Sequence, residues 1–410
     1  MARLSSFATG NFSQHSLNIT IITMTYLKPF TPPTFLRGIE KSPIRQITDR
    51  AKPGDISFGL GEPDLPTPDV IRREAIRVIQ EEQNGYTLQA GLPTLRERVA
   101  ADYPHMGLSP DQVIVTAGSQ EALYLALMTL VEAGDEVLIP NPGFVAYPTI
   151  TRMAGGRATF YRLPAKDEFS FNLEHFKARI TSKTKVVICI SPANPTGRAF
   201  ASDDLRDMAQ VVAESAPDAY IISDEIYREI YYTPERPASI SEFCPRTIVI
   251  SGLSKSMSMT GWRLGWICGD DAVISSALVL HGNVTTCASS ISQKAGLAAW
   301  TREAAEAREG FRKTFRARRD HLLTLIAAEL RVSSVTPDGA FYTMVDTSAY
   351  GPSLKVAESL LDSGVITIPG SAFGSESEGF LRVSFCANED VLAEGVQRMK
   401  VGLIRMSDML

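Results

Sequence analysis

The feature that most constrains this chain is an alternation that starts near residue 111. Short β-branched runs alternate there with stretches of helical periodicity. Val113 to Thr116 reads as a buried strand, Glu121 to Val131 as an apolar-rich helix, and Glu136 to Ile139 as the next strand. Lys185 to Ile190, a helix over 202–215, Tyr220 to Ser223 and Thr247 to Ser251 continue the series. Strands joined through helices require right-handed crossovers, which predicts a mainly parallel sheet covered on both faces, an α/β/α layering. Around 304–329 a stretch rich in Ala, Arg and Glu predicts a long helix, and beyond it mixed strands and helices predict a smaller α+β unit. The expected division is a large domain over 61–299, a small domain from 24–60 with 300–410, and a disordered extension over 1–23.

Bulk properties narrow the partners. A net charge of -5 without a long basic run gives no electrostatic reason to bind nucleic acid. No apolar run approaches the roughly 20 residues that span a bilayer. Cys189, Cys244, Cys268, Cys287 and Cys386 are scattered without a CxxC pair, a poor disulfide framework, and the dispersed histidines suggest no metal site. A reducing, cytoplasmic setting is expected. The first 23 residues carry Arg3 and no acid, and end in the short apolar stretch Ile19 to Ile22. They have too little arginine for a transit peptide and too short an apolar core for a secretory signal. They read as a disordered arm or as translation from a start upstream of Met24.

Ligands of parallel sheets bind at the carboxyl ends of the strands. Gly118-Ser119-Gln120, Asn194, Asp224 and Lys255 each follow a predicted strand, so four polar groups at four adjacent strand ends should form one pocket. A helix opening at Ser119 would offer backbone N–H groups to a phosphate, although taken alone Ser119 reads first as a plain N-cap. Nucleotide motifs fail: Gly59-Leu60-Gly61 is followed by Asp64 where a glycine is needed, and no GxxxxGK[ST] exists. Lys255, held near a desolvated pocket, could lose its proton and form a Schiff base. Arg263 is suited to fork onto a phosphate. A buried Asp224 needs a cationic partner, either a protonated heterocyclic nitrogen or an Arg or Lys side chain. Tyr227 and Asn194 could hydrogen-bond a ring oxygen.

Together these residues resemble the class I aminotransferases of pyridoxal-5′-phosphate (PLP) fold type I, in the aspartate-aminotransferase-like branch. The stretch from Ser251 through Lys255 and Arg263 to Gly265 is similar to that family's PLP-lysine signature. Ser191 to Gly197 is similar to its asparagine motif, and Asp224-Glu225-Ile226-Tyr227 to its aspartate–tyrosine motif. Gly61-Glu62-Pro63-Asp64, Tyr86 with Ala90-Gly91, Gly134 to Val137, and Arg382 to Phe385 also match, in the family's order, from about residue 42 to the end. The resemblance implies that Lys255 holds PLP as a Schiff base and moves the substrate's proton. It implies that Asp224 pairs with the pyridine nitrogen, and that Asn194 and Tyr227 bind the phenolic oxygen. Gly118, Ser119, Gln120, Ser254 and Arg263 would surround the phosphate, with Phe144 stacked on the ring. Arg382, with Asn194 and the Gly61 backbone, would take the substrate α-carboxylate. Tyr86 would reach the phosphate of a neighbouring subunit, which implies a homodimer with shared active sites.

The implied reaction is ping-pong transfer of the amino group of an L-amino acid to a 2-oxo acid. The alternative on the same residues is a PLP-dependent lyase, cyclase or oxidase acting on an amino acid, because the electron sink does not choose which bond breaks. Gly252 replaces a serine that many relatives use for phosphate, leaving Ser251 or Ser254 to compensate. Gln120 stands where some aspartate-using relatives carry a lysine, and Ser42-Pro43-Ile44-Arg45 departs from their Ser/Thr pattern. Strict aspartate specificity is not expected.

Overall fold

The β-branched runs assemble into a seven-stranded sheet formed by β1 (Val113–Thr116), β2 (Glu136–Asn141), β3 (Arg157–Arg162), β4 (Thr184–Ile190), β5 (Tyr220–Asp224), β6 (Thr247–Gly252) and β7 (Gly265–Cys268). The computed structural model describes residues 30–33, 36, 37, 39 and 41–408, and the extension expected over 1–23 lies outside them. Contacts part the chain into two units, Met1–Ile39 and Glu40–Leu410. In the first, a short turn is closed by Leu36 N donating to Pro33 O at 3.0 Å.

The spatial strand order is β1-β7-β6-β5-β4-β2-β3. Strands β3, β2, β4, β5 and β6 pair in parallel, as expected. Strand β7 runs antiparallel to both β1 and β6. Two strands were not expected from the sequence. Edge strand β3 exposes Arg157, Phe160 and Arg162, so it lacks a buried apolar run. The four residues of β7 begin on glycine and sit inside the lysine motif. Consequently the strand ends carrying Gly118-Ser119 and Lys255 are not adjacent, because β7 stands between them.

Period two explains the sheet's burial on both faces. Val186, Ile188 and Ile190 of β4 pack into one apolar cluster, while Val187 and Cys189 pack into another. In β6, Ile248 and Ile250 face the first cluster and Val249 a third. Helix α1 (Ser119–Leu130) starts two residues before the expected Glu121, and α2 (Ser202–Ser215) spans the expected residues. The long helix is α3 (Arg302–Leu325), N-capped by Thr301, which accepts from Ala304 N. Its expected end near 329 falls in a wider turn over Ile326–Leu330.

A second, three-stranded antiparallel sheet holds β8 (Tyr342–Asp346), β9 (Ile368–Pro369) and β10 (Phe380–Ser384) in the order β9-β10-β8. Helices α4 (Ser353–Asp362) and α5 (Glu389–Ser407) follow β8 and β10 in the chain. The short strand Ile56–Ser57 pairs in parallel with Val365–Ile366, and Ser384 N donates to Phe58 O at 2.9 Å. Among the described residues no helix is long and apolar enough to cross a membrane.

Gly265, which opens β7, lets the start of that strand lie against the turn after β1. A Cβ there would lie 2.6 Å from the Gly118 carbonyl carbon and the Ser119 nitrogen, both backbone atoms that cannot swing aside. Gly265→Ala should therefore destabilise the chain by about 1–3 kcal/mol in urea unfolding. An unchanged midpoint would show that the β1–α1 turn can yield.

Candidate active site

Because β7 is antiparallel, the segment entering it lies at the same rim as the carboxyl ends of its neighbours. Arg263 is thereby delivered beside the turn after β1. Gly118 has φ +86° and N-caps α1; its Cβ would meet Arg263 Nη2 at 2.5 Å, so only glycine fits. Arg263 itself holds a left-handed φ of +53°, an uncommon conformation for a non-glycine residue. Its Nη1 donates to Thr260 O at 2.8 Å and its Nη2 to Ala117 O at 3.2 Å. No ion pair among the described residues takes this guanidinium. With the first-turn N–H groups of α1, it forms a cup of anion-binding chemistry.

The cup is one end of a cleft of about 850 Å³, counting its open mouth. Gly61, Ser119, Gln120, Phe144, Asn194, Asp224, Tyr227, Ser254, Lys255, Arg263 and Arg382 all line it, so eleven of the thirteen expected residues converge. Gly118 stands behind the wall against Arg263. Tyr86 is outside the cleft and 89% exposed on the single chain. Of the two serines offered as compensation for Gly252, Ser254 lines the cleft. Ser251 instead donates to Glu225 O at 3.2 Å and faces a separate polar cavity.

Asp224 ends β5, buried, and accepts from Tyr147 Oη at 2.8 Å and from Ile226 N at 3.3 Å. No ion pair among the described residues reaches it, so the alternative of an Arg or Lys partner does not hold. Burial raises its pKa from 3.8 to about 6, against the opposing effect of the Tyr147 hydrogen bond. The next residue, Glu225, points to the other face and is compensated there by Arg228 at 3.1 Å. Strand alternation thus leaves one carboxylate uncompensated, and that one faces the cleft.

Lys255 Nζ donates to Gly61 O at 2.7 Å, and burial pushes its pKa down, towards the neutral amine that a nucleophile requires. Arg382, in the middle of β10, is almost fully buried. Its Nη1 donates to Asn194 Oδ1 at 2.9 Å and its Nη2 to Gly59 O, while Nε has no partner. A buried guanidinium with an unfilled donor favours a carboxylate. Burial lowers the pKa of Arg382.

Several cleft residues were not singled out in the sequence. Tyr342 lines the cleft and its hydroxyl lies 2.9 Å from that of Tyr227. Tyr147 holds Asp224 from helix 146–153. Ile44, Gly59, Leu60, Ile190, Ile226 and Thr260 complete the wall. Tyr342 follows Gly339-Ala340-Phe341 in an apolar strand, and nothing in its local pattern separates it from core; only its place opposite Tyr227 does.

The residues fit PLP on these observations: an uncompensated buried carboxylate for a protonated ring nitrogen, a glycine-backed anion cup for a phosphate, and a lysine of lowered pKa in the same cleft. The raised pKa of Asp224 also has a stability consequence. The native state holds that proton more tightly than the unfolded chain, so no penalty exists below 3.8, and the full penalty is present above about 6. In PLP-free protein at pH 7, Asp224→Asn should therefore raise unfolding stability, on the order of 3 kcal/mol, with the gain vanishing towards pH 4. A variant less stable at pH 7 than the parent would mean that a cation already balances the carboxylate.

Comparison with known proteins agrees with the geometry. The sequence profile of the family described as "Aminotransferase class I and II" matches residues 53–399. A protein of Methanocaldococcus jannaschii named "Probable aspartate aminotransferase" is 35% identical, covering 87% of this chain and 95% of that protein. The "Aspartate/prephenate aminotransferase" of Thermus thermophilus is 33% identical, over 84% of this chain and 89% of its own. The solved aspartate aminotransferase of Thermus thermophilus with maleate superposes with a TM-score of 0.87 at 30% identity, covering 91% of this chain and all of that one. An aromatic aminotransferase from Pyrococcus horikoshii superposes with a TM-score of 0.82 at 32% identity, covering 89% of this chain and 99% of that one. The α/β fold is that of these PLP fold type I enzymes, and the chain belongs to the class I and II aminotransferases.

Proposed function

We propose that this aminotransferase works with PLP held through Lys255, and that it transfers the amino group of an L-amino acid to a 2-oxo acid. The observation that carries the reading is the buried, uncompensated Asp224 carboxylate facing the same cleft as Lys255. When bound, PLP supplies an electron sink that makes the Cα proton of an amino acid removable.

The chain's own residues supply position, charge and proton movement. Asp224 keeps the ring nitrogen protonated. Ser119, Gln120, Ser254 and Arg263 would hold the phosphate, with Gly118 leaving room behind them for Arg263, and Phe144 would cover the ring. Asn194 and Tyr227 bind the phenolic oxygen. Arg382, Asn194 and the Gly61 backbone bind the α-carboxylate and so fix which Cα bond lies near Lys255. Lys255 would hold the cofactor through Nζ and, as the neutral amine that its burial favours, would take up the Cα proton and hand it back on the same side of the cleft.

The donor and acceptor are small molecules. Relatives carry names for aspartate, aspartate with prephenate, and aromatic substrates. Here the amide of Gln120, not a lysine, lines the cleft, and a donor range wider than aspartate follows. The reading includes a cytoplasmic homodimer in which Tyr86, exposed on the single chain, meets the partner's phosphate. It also includes the division into a large domain over 61–299 and a small one from 24–60 with 300–410, supported by the pairing of Ile56–Ser57 with Val365–Ile366.

The decisive experiment adds single L-amino acids to the PLP-loaded protein without an acceptor. Stoichiometric conversion to pyridoxamine phosphate, reversed by a 2-oxo acid, is the expected result. Ammonia or a cyclised product, with the PLP absorbance unchanged, would replace transfer by elimination or cyclisation. Lys255→Ala should lose the covalent attachment and roughly 100- to 10,000-fold or more in kcat. Arg382→Lys should lower kcat/KM roughly 10- to 100-fold, the worth of a charge-assisted fork, with PLP content intact. A normal kcat/KM in Arg382→Lys would move the carboxylate site elsewhere.

A further inference from the structure

Tyr227 follows β5 of the large sheet, while Tyr342 opens β8 of the small one, yet their hydroxyls lie 2.9 Å apart and both rings are buried. The rings meet edge to face, with centroids 5.7 Å apart at 77°. The Arg382 guanidinium lies 4.4 Å from the Tyr342 ring centroid. The Gly61 backbone approaches so closely that a Cβ would lie 1.6 Å from the Tyr342 oxygen. Gly61 is the residue whose carbonyl accepts from Lys255.

Two phenols sharing one hydrogen bond must divide the roles, one donating and one accepting. Resting on the proposed function, we propose that Tyr342 is a positioning residue: it donates to Tyr227, and Tyr227 is thereby left to donate its single proton to the phenolic oxygen of bound PLP. That oxygen carries negative charge, and a charge-assisted hydrogen bond is roughly twice as strong as one between neutral groups. The Tyr227 proton goes to the stronger acceptor, and its lone pairs are then open to Tyr342. Donation by Tyr342 polarises the Tyr227 O–H bond and strengthens its own donation, as in other hydrogen-bonded chains.

The charged and titratable groups around the pair are Arg382 on β10, Asp224 on β5, Tyr147 on the helix over 146–153 and Cys386 after β10, with Lys255, in the loop after β6, acting on Cys386. Burial pushes both Tyr342 and Cys386 up to about 12, so both stay protonated through the working range. Tyr342 therefore keeps a proton to give. Phenylalanine at 342 retains the ring that packs against Arg382 and removes only the hydroxyl.

The test is a pH titration of the visible absorbance of the PLP-loaded protein in four forms: parent, Tyr342→Phe, Tyr227→Phe, and the double variant. A hydrogen bond to the anionic oxygen favours the deprotonated cofactor and lowers the midpoint, so losing it raises the midpoint. Tyr342→Phe should raise it by roughly a few tenths of a pH unit, the cooperative share of a charge-assisted hydrogen bond. Tyr227→Phe should raise it further, and the double variant should titrate with Tyr227→Phe, because Tyr342 acts only through Tyr227. KM for the amino donor should stay near the parent value in Tyr342→Phe. As a second probe that leaves the packing alone, 3-fluorotyrosine at 342, a stronger donor, should move the midpoint down. A parent-like midpoint in Tyr342→Phe, or a double variant whose shift is the sum of the singles, overturns the proposal while leaving PLP-dependent transfer intact. A parent protein that binds no PLP overturns both.

Discussion

A buried carboxylate whose only hydrogen-bond partners among the described residues are a phenol and a peptide N–H is an unfinished interaction, and the cleft is organised around it. Asp224 gains its burial from the apolar strand that precedes it, and its polarity from being the last residue of that strand. The sheet cannot remove the charge without losing the strand end, and among the described residues no ion pair reaches it on that face. What the fold costs itself in stability at neutral pH, a protonated ring can return on binding. The site is in this sense a local frustration that a cofactor resolves.

The other charges are placed so that they do not resolve it first. Arg263 is tied to two backbone carbonyls on the far side of the anion cup, and Arg382 is tied to Asn194 and the Gly59 carbonyl. Lys255 is occupied by Gly61 O. Each cation is oriented by neutral oxygens, which fix its direction and leave its charge available. Neutral tethering of this kind is how a site can be ordered before its ligand arrives, so that little reorganisation accompanies binding.

Much of this was legible in the sequence. Parallel strands reveal themselves as β-branched runs because both faces are buried, and the residues ending them must face ligand or solvent. The stretches holding Ser119, Asn194, Asp224 and Lys255 are marked out in this way. Strand β7 is not, because a four-residue strand opening on Gly265 has no period to read, and without it four strand ends stand side by side. Tyr147 and Tyr342 are hidden for a different reason. A tyrosine in an apolar stretch looks like core, and only the three-dimensional meeting of Tyr147 with Asp224, and of Tyr342 with Tyr227, shows which hydroxyl has work to do. The choice between Ser251 and Ser254 was likewise undecidable in one dimension, because the turn between them reverses which side each faces.

The alternation that sends Asp224 to one side of the sheet and Glu225 to the other has an evolutionary consequence. Their side chains differ by one methylene and their neighbourhoods differ by a full arginine, Arg228. Sliding β5 by a single residue would exchange them, bringing a glutamate into the cleft and stranding an aspartate opposite the wrong partner. Insertions can accumulate in the loops that shape substrate choice, but the length of this strand is fixed to the residue. A lineage built on this scaffold is free to change what it binds at the mouth of the cleft, and is held to a constant count of residues along the strand beneath it.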